Sequence, residues 1–482
     1  MEDFLRLSGS RSLGGHGQLD DYEQNRGRMS GKISRLDLGR TCLMGANGEG
    51  KLPIRMSSTG SGRRILHRIC GISLAVVAAA LLAAANTAPA AAQTAAPAAP
   101  VVNDVTPANP DFQQIRIGYV EWKEKSLTLS LSQNPPDDLG VAGALSAIRD
   151  NNTTGTFTKQ EFHLLVEPAK TLEEALAARQ KLIDQGVVAI ITDVPADAVL
   201  ALADADADKA GILFNISAKD ERLREEDCRA NVFHIQPSHS MLADALAQYL
   251  VWKKWPRWFL LTGALPADQE WAEALKRAAG RFGGQIVEER VYSETDTARR
   301  TDSGHVQVQR QMPVFTQNAP AHDVVLVADD SEIFGTYVPF RTWDPRPVAG
   351  SAGLIPTTWT PNHEQWAGFQ MQNRFGVLNT RPMQSLDINA WTAVRMVGDA
   401  ATKAQSNELA KIREAMLDER FSVAAFKGEK LTIRKWNHQL RQPILLADGF
   451  SVVSVSPQEG FLHPNSLLDT MGYDEPETKC SF

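Results

Sequence analysis

Cysteine is scarce in this chain of 482 residues: it has four, and two of them, Cys42 and Cys70, precede Ala92. That excludes a disulfide-rich scaffold, and the absence of any C-x-x-C-H segment excludes an attached haem. Histidine is also sparse, and those beyond Ala92 never stand in the paired spacing of a metal site. No G-x-S-x-G elbow occurs; Gly350-Ser351-Ala352-Gly353 lacks the spacing that lifts a serine onto a strand-to-helix turn. Basic charge is in deficit, 50 Lys and Arg against 57 Asp and Glu with a net charge of -7, which argues against a nucleic-acid partner gripped through its phosphates. Gly45 to Lys51 (GANGEGK) imitates a phosphate-binding loop, but Leu52 stands where a magnesium-holding Ser or Thr belongs. Nothing in these patterns asks for catalysis, a metal or a cofactor.

What is present begins with an export signal. Arg63, Arg64, His67 and Arg68 precede an uncharged run from Ile69 to Ala85, and Ala90-Ala91-Ala92 follows as a small-residue cleavage site. We expect residues 56–92 to be a cleavable signal peptide and the body to be periplasmic. An uncleaved anchor is the alternative, disfavoured by the Ala-rich composition and the A-x-A ending. Residues 1–55, polar and without apolar period, read as an upstream extension ahead of Met56, and residues 93–112 as a flexible Ala/Pro-rich leader. Beyond Ala85 no apolar run is long enough to span a bilayer. Cys228 and Cys480 are the two thiols left; in an oxidising compartment they suit one bridge that pins the C-terminal tail, the alternative being two separate cysteines.

From Ile115 the pattern alternates. Short apolar runs at Ile115 to Val120, Glu161 to Val166, Val187 to Thr192 and Gly211 to Ile216 are separated by helical periods at Val141 to Asp150, Leu172 to Gln185 and Ala196 to Ala210. Strands apolar throughout, alternating with helices, predict a parallel sheet covered on both faces. The rhythm restarts with a helix at His239 to Lys254, a strand at Trp258 to Thr262, a helix at Asp268 to Phe282 and strands at Gln285 to Tyr292 and Val324 to Ala328. A strand at Ala349 to Thr357, helices at Gln365 to Phe375, Asp387 to Ala404 and Glu408 to Leu417, and a hairpin over Lys430 to Leu446 complete the reading. The fold class is α/β, with two doubly wound parallel-sheet lobes joined by a hinge: lobe 1 over 113–247 with a return over 380–425, lobe 2 over 248–379, and a late hairpin and tail over 426–482.

Open α/β sheets bind ligands beyond the carboxyl ends of their strands. That rule nominates Glu121 and Trp122 after the first strand, Thr192 and Asp193 after the third, and Ser217 and Lys219 after the fourth. In the second lobe it nominates Asp329 and Asp330, and then Trp359. An aromatic can wall a ligand while hydroxyls, lysine and carboxylates orient its polar end. Each has a plain structural alternative, as a helix cap, a packing residue or a solvated charge.

The segments IRIGYV, TLEEALAARQKLIDQG running into VVAIITDV, GILFNIS and FKGEKLTIRKWNHQLRQPILL, spread over Ile115 to Asp448, resemble the type I periplasmic binding proteins, the Leu/Ile/Val-binding family that serves ABC importers. NVFHIQPSHSMLADALAQYLVWK, ARRTDSGHVQVQRQMPVFTQNAP, YVPFRTWDPRPVAGSAGL and SVSPQEGFLHPNSLLDTMGYDEPETKC are similar to the branch associated with alcohol dehydrogenases dependent on pyrroloquinoline quinone. The resemblance implies a periplasmic receptor that closes over a small solute and hands it to an inner-membrane permease. It implies no cofactor and no enzyme. Thr192 and Ser217 match the hydroxyl-bearing loops by which the family grips a carboxylate, but Lys219-Asp220 interrupts the second loop and Ala264 to Gln269 lacks the family's Tyr-Gly pair. Those departures argue against an α-amino acid as ligand. A ligand sensor, or an accessory protein of the quinoprotein system, are the alternative functions.

Overall fold

A computed structural model describes residues 109–123, 135–206, 211–293 and 304–482, with side chains of the last segment from 308 onward. The expected extension, signal peptide and most of the leader lie outside the described residues, as does the Gly45 to Lys51 segment. Among the described residues no helix is long and apolar enough to cross a membrane.

The first lobe contains β1 (Gln113–Trp122), α1 (Val141–Thr158), β2 (Gln160–Ala169), α2 (Leu172–Asp184), β3 (Val187–Asp193), α3 (Ala196–Asp204), β4 (Leu213–Asn215) and β5 (Val232–His234). Its five strands run parallel in the order β2-β1-β3-β4-β5. Local chemistry explains the boundaries: Thr171 caps α2 by accepting the Glu174 N–H, with Glu173 and Glu174 in the first turn where the helix dipole favours acid. Because side chains alternate along a strand, Ile117 and Tyr119 enter one apolar layer and Val120 the other. The first layer packs on α1, the second on α2 and α3.

The second lobe is built from α4 (His239–Trp252), β6 (Arg257–Gly263), α5 (Pro266–Phe282), β7 (Gln285–Tyr292), α6 (Gly304–Thr316), β8 (Val324–Ala328) and β9 (Val348–Gly350). Its sheet is parallel in the order β7-β6-β8-β9. The α4 and α5 helices cover one face and α6 the other. The chain continues through β10 (Ile355–Thr357), α7 (Gly368–Asn379), α8 (Ser385–Ala404) and α9 (Leu409–Leu417). It ends with β11 (Val423–Ala424), β12 (Lys430–Ile433), β13 (Leu440–Arg441), β14 (Ile444–Ala447) and β15 (Val452–Ser456).

Membership of the apolar layers shows where the backbone changes lobe. Ile235 belongs to the first lobe and Met241 to the second; Trp359 returns to the first, and Leu440 and Ile444 stand on opposite sides. The crossings therefore fall near 236–240, 357–359 and 441–443. Helix α4 packs in the second lobe and α7, through Met371 and Phe375, in the first, which moves both boundaries from the expected 247/248 and 379/380. The cause is the same in each case: the apolar residues of a helix at a crossing suit either lobe, and its partner is not written in its sequence.

Besides β5, β11 and β15, which the sequence reading did not include, four places differ from it. The expected strand over Ala349 to Thr357 is two strands in different sheets, β9 against β8 and β10 against β14. Gly350, at φ 110°, makes the turn that only glycine tolerates. The stretch between β7 and β8 holds α6, disguised by polar residues and by Pro313 inside it. The helix expected to reach Ala210 stops at Asp204. The expected hairpin is β12 with β13, pairing Thr432 with Arg441 and Ile433 with Leu440, with His438 at φ 52° in its turn; Ile444 onward is a separate strand, β14, paired with β15.

Candidate functional site

In a sheet ordered 2-1-3-4-5 the connections diverge between β1 and β3, and a crevice opens at their carboxyl ends. Glu121 and Asp193 are register partners at that point. The corresponding divergence in the second lobe lies between β6 and β8, and Asp329 and Asp330 follow β8 directly. The two sheets thus turn their ligand-binding edges toward one seam, and Lys219 from the first lobe forms an ion pair with Asp330 from the second.

Around that pair the seam is mostly charged or hydroxylic. The His239 ring, at the first position of α4 and 4 % exposed, lies 3.7 Å from the Asp330 carboxylate and 3.9 Å from that of Glu270. Neither ring nitrogen makes a hydrogen bond. Burial alone would raise the Asp330 carboxyl; the Lys219 ammonium, with the His239 ring beside it, overcomes that and holds the carboxyl well below the usual range. Glu270, on α5, is raised by burial and by the nearby Asp220 charge.

Deeper in the first lobe, Glu121 is ion-paired with Lys123 and raised by burial in spite of it. Asp193 is pushed up to about 6, chiefly by burial and against a hydrogen bond from Ser217, with the Glu121 charge adding to the rise. The Tyr119 hydroxyl is fully buried, faces Asp193 and lacks a well-formed hydrogen bond. It occupies the space over Gly140, where a Cβ would come within 2.3 Å of it. Gly140 is in turn held by its N–H donating to Asp387, which Arg381 grips with two nitrogens at 2.7 and 2.9 Å.

Of the residues nominated from sequence, Lys219 and Asp330 meet across the lobes, while Glu121, Asp193 and Ser217 lie together at the strand ends of the first lobe. Trp122 is half-buried against the apolar layer under α2 and α3. Thr192 is fully buried and donates its hydroxyl to the Phe214 carbonyl at 3.0 Å, tying β3 to β4. Asp329 turns inward, where its carboxylate accepts N–H groups of Ile333, Phe334 and Gly335 and organises the loop after β8. Trp359 is 2 % exposed in the first lobe's core, its indole donating to Gln372 at 3.1 Å. These four serve the scaffold. Cys228 and Cys480 form a disulfide across 252 residues of sequence.

The sequence reading missed Tyr119, Lys123, His239 and Glu270. His239 was findable: it follows Ser238, whose hydroxyl accepts the Met241 N–H as the α4 cap, and a helix start just after a strand end marks a crossing. Tyr119 carried no signal, since it sits in an apolar run. Among the described residues no group of three or more His, Cys, Asp or Glu could hold a metal ion.

Comparison with known proteins agrees with this architecture. A family model described as periplasmic binding protein matches residues 135–310. No curated relative matches the sequence. Among solved structures, a branched-chain amino acid ABC transporter periplasmic ligand-binding protein from Burkholderia xenovorans is similar at 16% identity and TM-score 0.59, over 76% of this chain and 99% of that one. The solute-binding protein of an ABC transporter from R. palustris, in complex with benzoate, aligns at 13% identity and TM-score 0.55, over 77% and 100%. The Leu-, Ile-, Val-, Thr- and Ala-binding protein of Brucella ovis, in a closed conformation, aligns at 14% and TM-score 0.54, over 75% and 94%. Two parallel-sheet lobes, three crossings between them and the family pattern over residues 135–310 make this chain a protein of the type I periplasmic-binding-protein fold.

Proposed function

We propose that the protein is an exported, non-catalytic receptor that closes its two lobes over a small solute and delivers it to an ABC permease at the inner membrane. The observation that carries this reading is the meeting of Lys219 and Asp330, each just past a strand end of a different lobe. A ligand lodged at such a seam touches both lobes, so the closed state gains contacts the open state lacks. The family model and the transporter-associated neighbours support the same assignment. Export rests on the basic, apolar and small-residue blocks between Arg63 and Ala92. The tie to alcohol oxidation dependent on pyrroloquinoline quinone rests on the resembling segments alone.

The test is a thermal-shift screen of the mature protein against alcohols, the acids derived from them, amino acids and pyrroloquinoline quinone. A ligand that binds only the folded state raises the melting temperature in proportion to the logarithm of its concentration. Hits among alcohols, their acids or the quinone support the full reading, and hits only among amino acids keep the receptor but remove the quinoprotein link. Turnover of a hit would overturn the receptor.

A further inference from the structure

The strand ends of the first lobe hold a carboxylate that the described residues leave without a cation. Asp193 ends β3 beside its register partner Glu121, largely buried but not sealed. The Ser217 and Tyr119 hydroxyls face it, and Lys123, whose ammonium also acts on it, is ion-paired with Glu121. An ionised carboxylate has about four lone-pair sites, so two hydroxyls leave it able to accept further N–H donors. A cation brought by a ligand would supply the partner that a buried carboxylate otherwise lacks. The rest of the seam has the same sign: Asp220, Glu270 and Asp330 stand with Lys219, which is spent on Asp330, and with the His239 ring, 4 % exposed and bonded at neither nitrogen. Nothing comparable awaits an anion. Arg222 is held by Asp197 and Asp227, and Arg224, 1 % exposed, gives its nitrogens to the Gln439 side chain and the Asp220 and Gln236 carbonyls. Both hydroxyls that the sequence offered to a ligand carboxylate are spent as well, Thr192 on the Phe214 carbonyl and Ser217 on Asp193.

We propose that the solute carries an ammonium or amidinium group and no carboxylate, and that Asp193 receives that cation at the strand ends of the first lobe, with the Ser217 hydroxyl beside it. A carboxylate must draw Lys123 from Glu121 or Lys219 from Asp330, and either exchange strands an acid. An α-amino acid fails at that end only, since its ammonium has Asp193 to meet. Burial lifts the Asp193 carboxyl to about 6, with Tyr119, Glu121, Lys123 and Ser217 as the groups that face it. The cation meets the ionised form, so binding is linked to loss of that proton. This inference rests on the receptor reading and narrows it to a ligand class.

The test uses matched sets of primary amine, amidine, alcohol, carboxylate and α-amino acid on butyl, benzyl and hydroxyethyl skeletons, titrated calorimetrically into the wild-type protein and Asp193→Asn. The wild type binds the amine or amidine of a set more tightly than its alcohol, carboxylate or amino acid. In Asp193→Asn that advantage over the alcohol shrinks by about tenfold or more. A second measurement needs no variant: wild-type affinity for the amine falls about tenfold from about pH 7 to about pH 5, as the ionised fraction of Asp193 falls, while affinity for the alcohol does not. If the wild type prefers the alcohol, the carboxylate or the amino acid, the receptor stands and the cationic-ligand inference falls. If an amine is preferred but neither Asp193→Asn nor the lower pH reduces its advantage, Asp193 is not where the cation sits and the inference falls again. Silence from the wild type across every set removes the receptor reading and this inference with it.

Discussion

The lobes touch in two very different ways. Where the tail and the third crossing meet, the contacts are buried and multiple. Arg434, 1 % exposed, and Arg441 both donate to Asp469, at 2.9 and 2.8 Å. Within the second lobe Arg281 and Arg277 grip Asp244 at 2.6 and 3.2 Å, and the Arg277 guanidinium lies 3.9 Å over the Tyr473 ring of the tail, which anchors the tail there. Leu468 and Met471 pack in the second lobe, while Thr478 and Lys479 bond Glu225 and Cys480 is bridged to Cys228, both in the first. At the strand ends, by contrast, Lys219 and Asp330 are partly exposed and His239 only approaches its acids. A receptor that opens and closes needs this asymmetry: lobes that stay joined at one place and part cheaply at the other.

The largest expected effect comes from breaking the tethered side. Arg434→Met leaves Asp469 buried with Arg441 alone, and losing one partner of a buried pair costs about 3–5 kcal/mol. Urea unfolding of the variant reads that loss; a change below about 1 kcal/mol, the scale of a surface pair, would show that the tail does not join the lobes as described.

Removing the bridge ranks second. The paired change Cys228→Ser and Cys480→Ser releases a closed loop of 252 residues, and losses of about 2–4 kcal/mol are usual when a native disulfide goes. Melting temperature and hydrogen exchange together separate two outcomes. Faster exchange confined to residues 473–482 marks a local staple, and faster exchange that extends to α4 and α5 marks a strap that holds the second lobe in place.

At the cleft side the same operation should barely register in stability. Lys219→Ala removes a pair with side chains 34% and 23% exposed, for which solvent screening leaves less than about 1 kcal/mol. Its effect belongs in shape: small-angle scattering of the ligand-free protein should show a larger radius of gyration as the lobes part. An unchanged radius with a large loss of stability would invert the comparison.

The same asymmetry decides what could be read from sequence. The sheets were legible because β3 and β8 are buried along nearly their whole lengths, so their apolar runs admit little else. The strand-end rule located Glu121, Asp193, Ser217, Lys219 and Asp330 because topology alone places a residue after a strand. It failed to rank them against Thr192, Asp329 and Trp359, since adjacent positions on one strand end face opposite ways and a one-residue step separates a cleft group from a core group. The crossings were illegible for a different reason. Gln236-Pro237-Ser238-His239 is an ordinary turn and helix cap in any protein, and only the tertiary partner of α4 reveals that the chain has changed lobes.

The effect most specific to the first lobe's strand ends is a dependence on pH. Asp193 sits at about 6 in the folded protein, above the value of about 3.9 for an unfolded aspartate. Between those values the folded state holds a proton that the unfolded state has released, so stability falls as pH rises from about 4 to 6 and is flat beyond. Tyr119, Glu121, Lys123 and Ser217 are the groups that face it. Glu121 strengthens the effect through its like charge, while Lys123, already occupied by Glu121, only partly offsets it. The expected loss is no more than about 3 kcal/mol. Asp193→Asn keeps the shape, removes the titration and should flatten the pH 4–6 portion of the unfolding curve relative to wild type. If the variant retains the full slope, the titrating group lies elsewhere; if wild-type stability instead rises through this window, burial does not raise the Asp193 carboxyl in the folded protein.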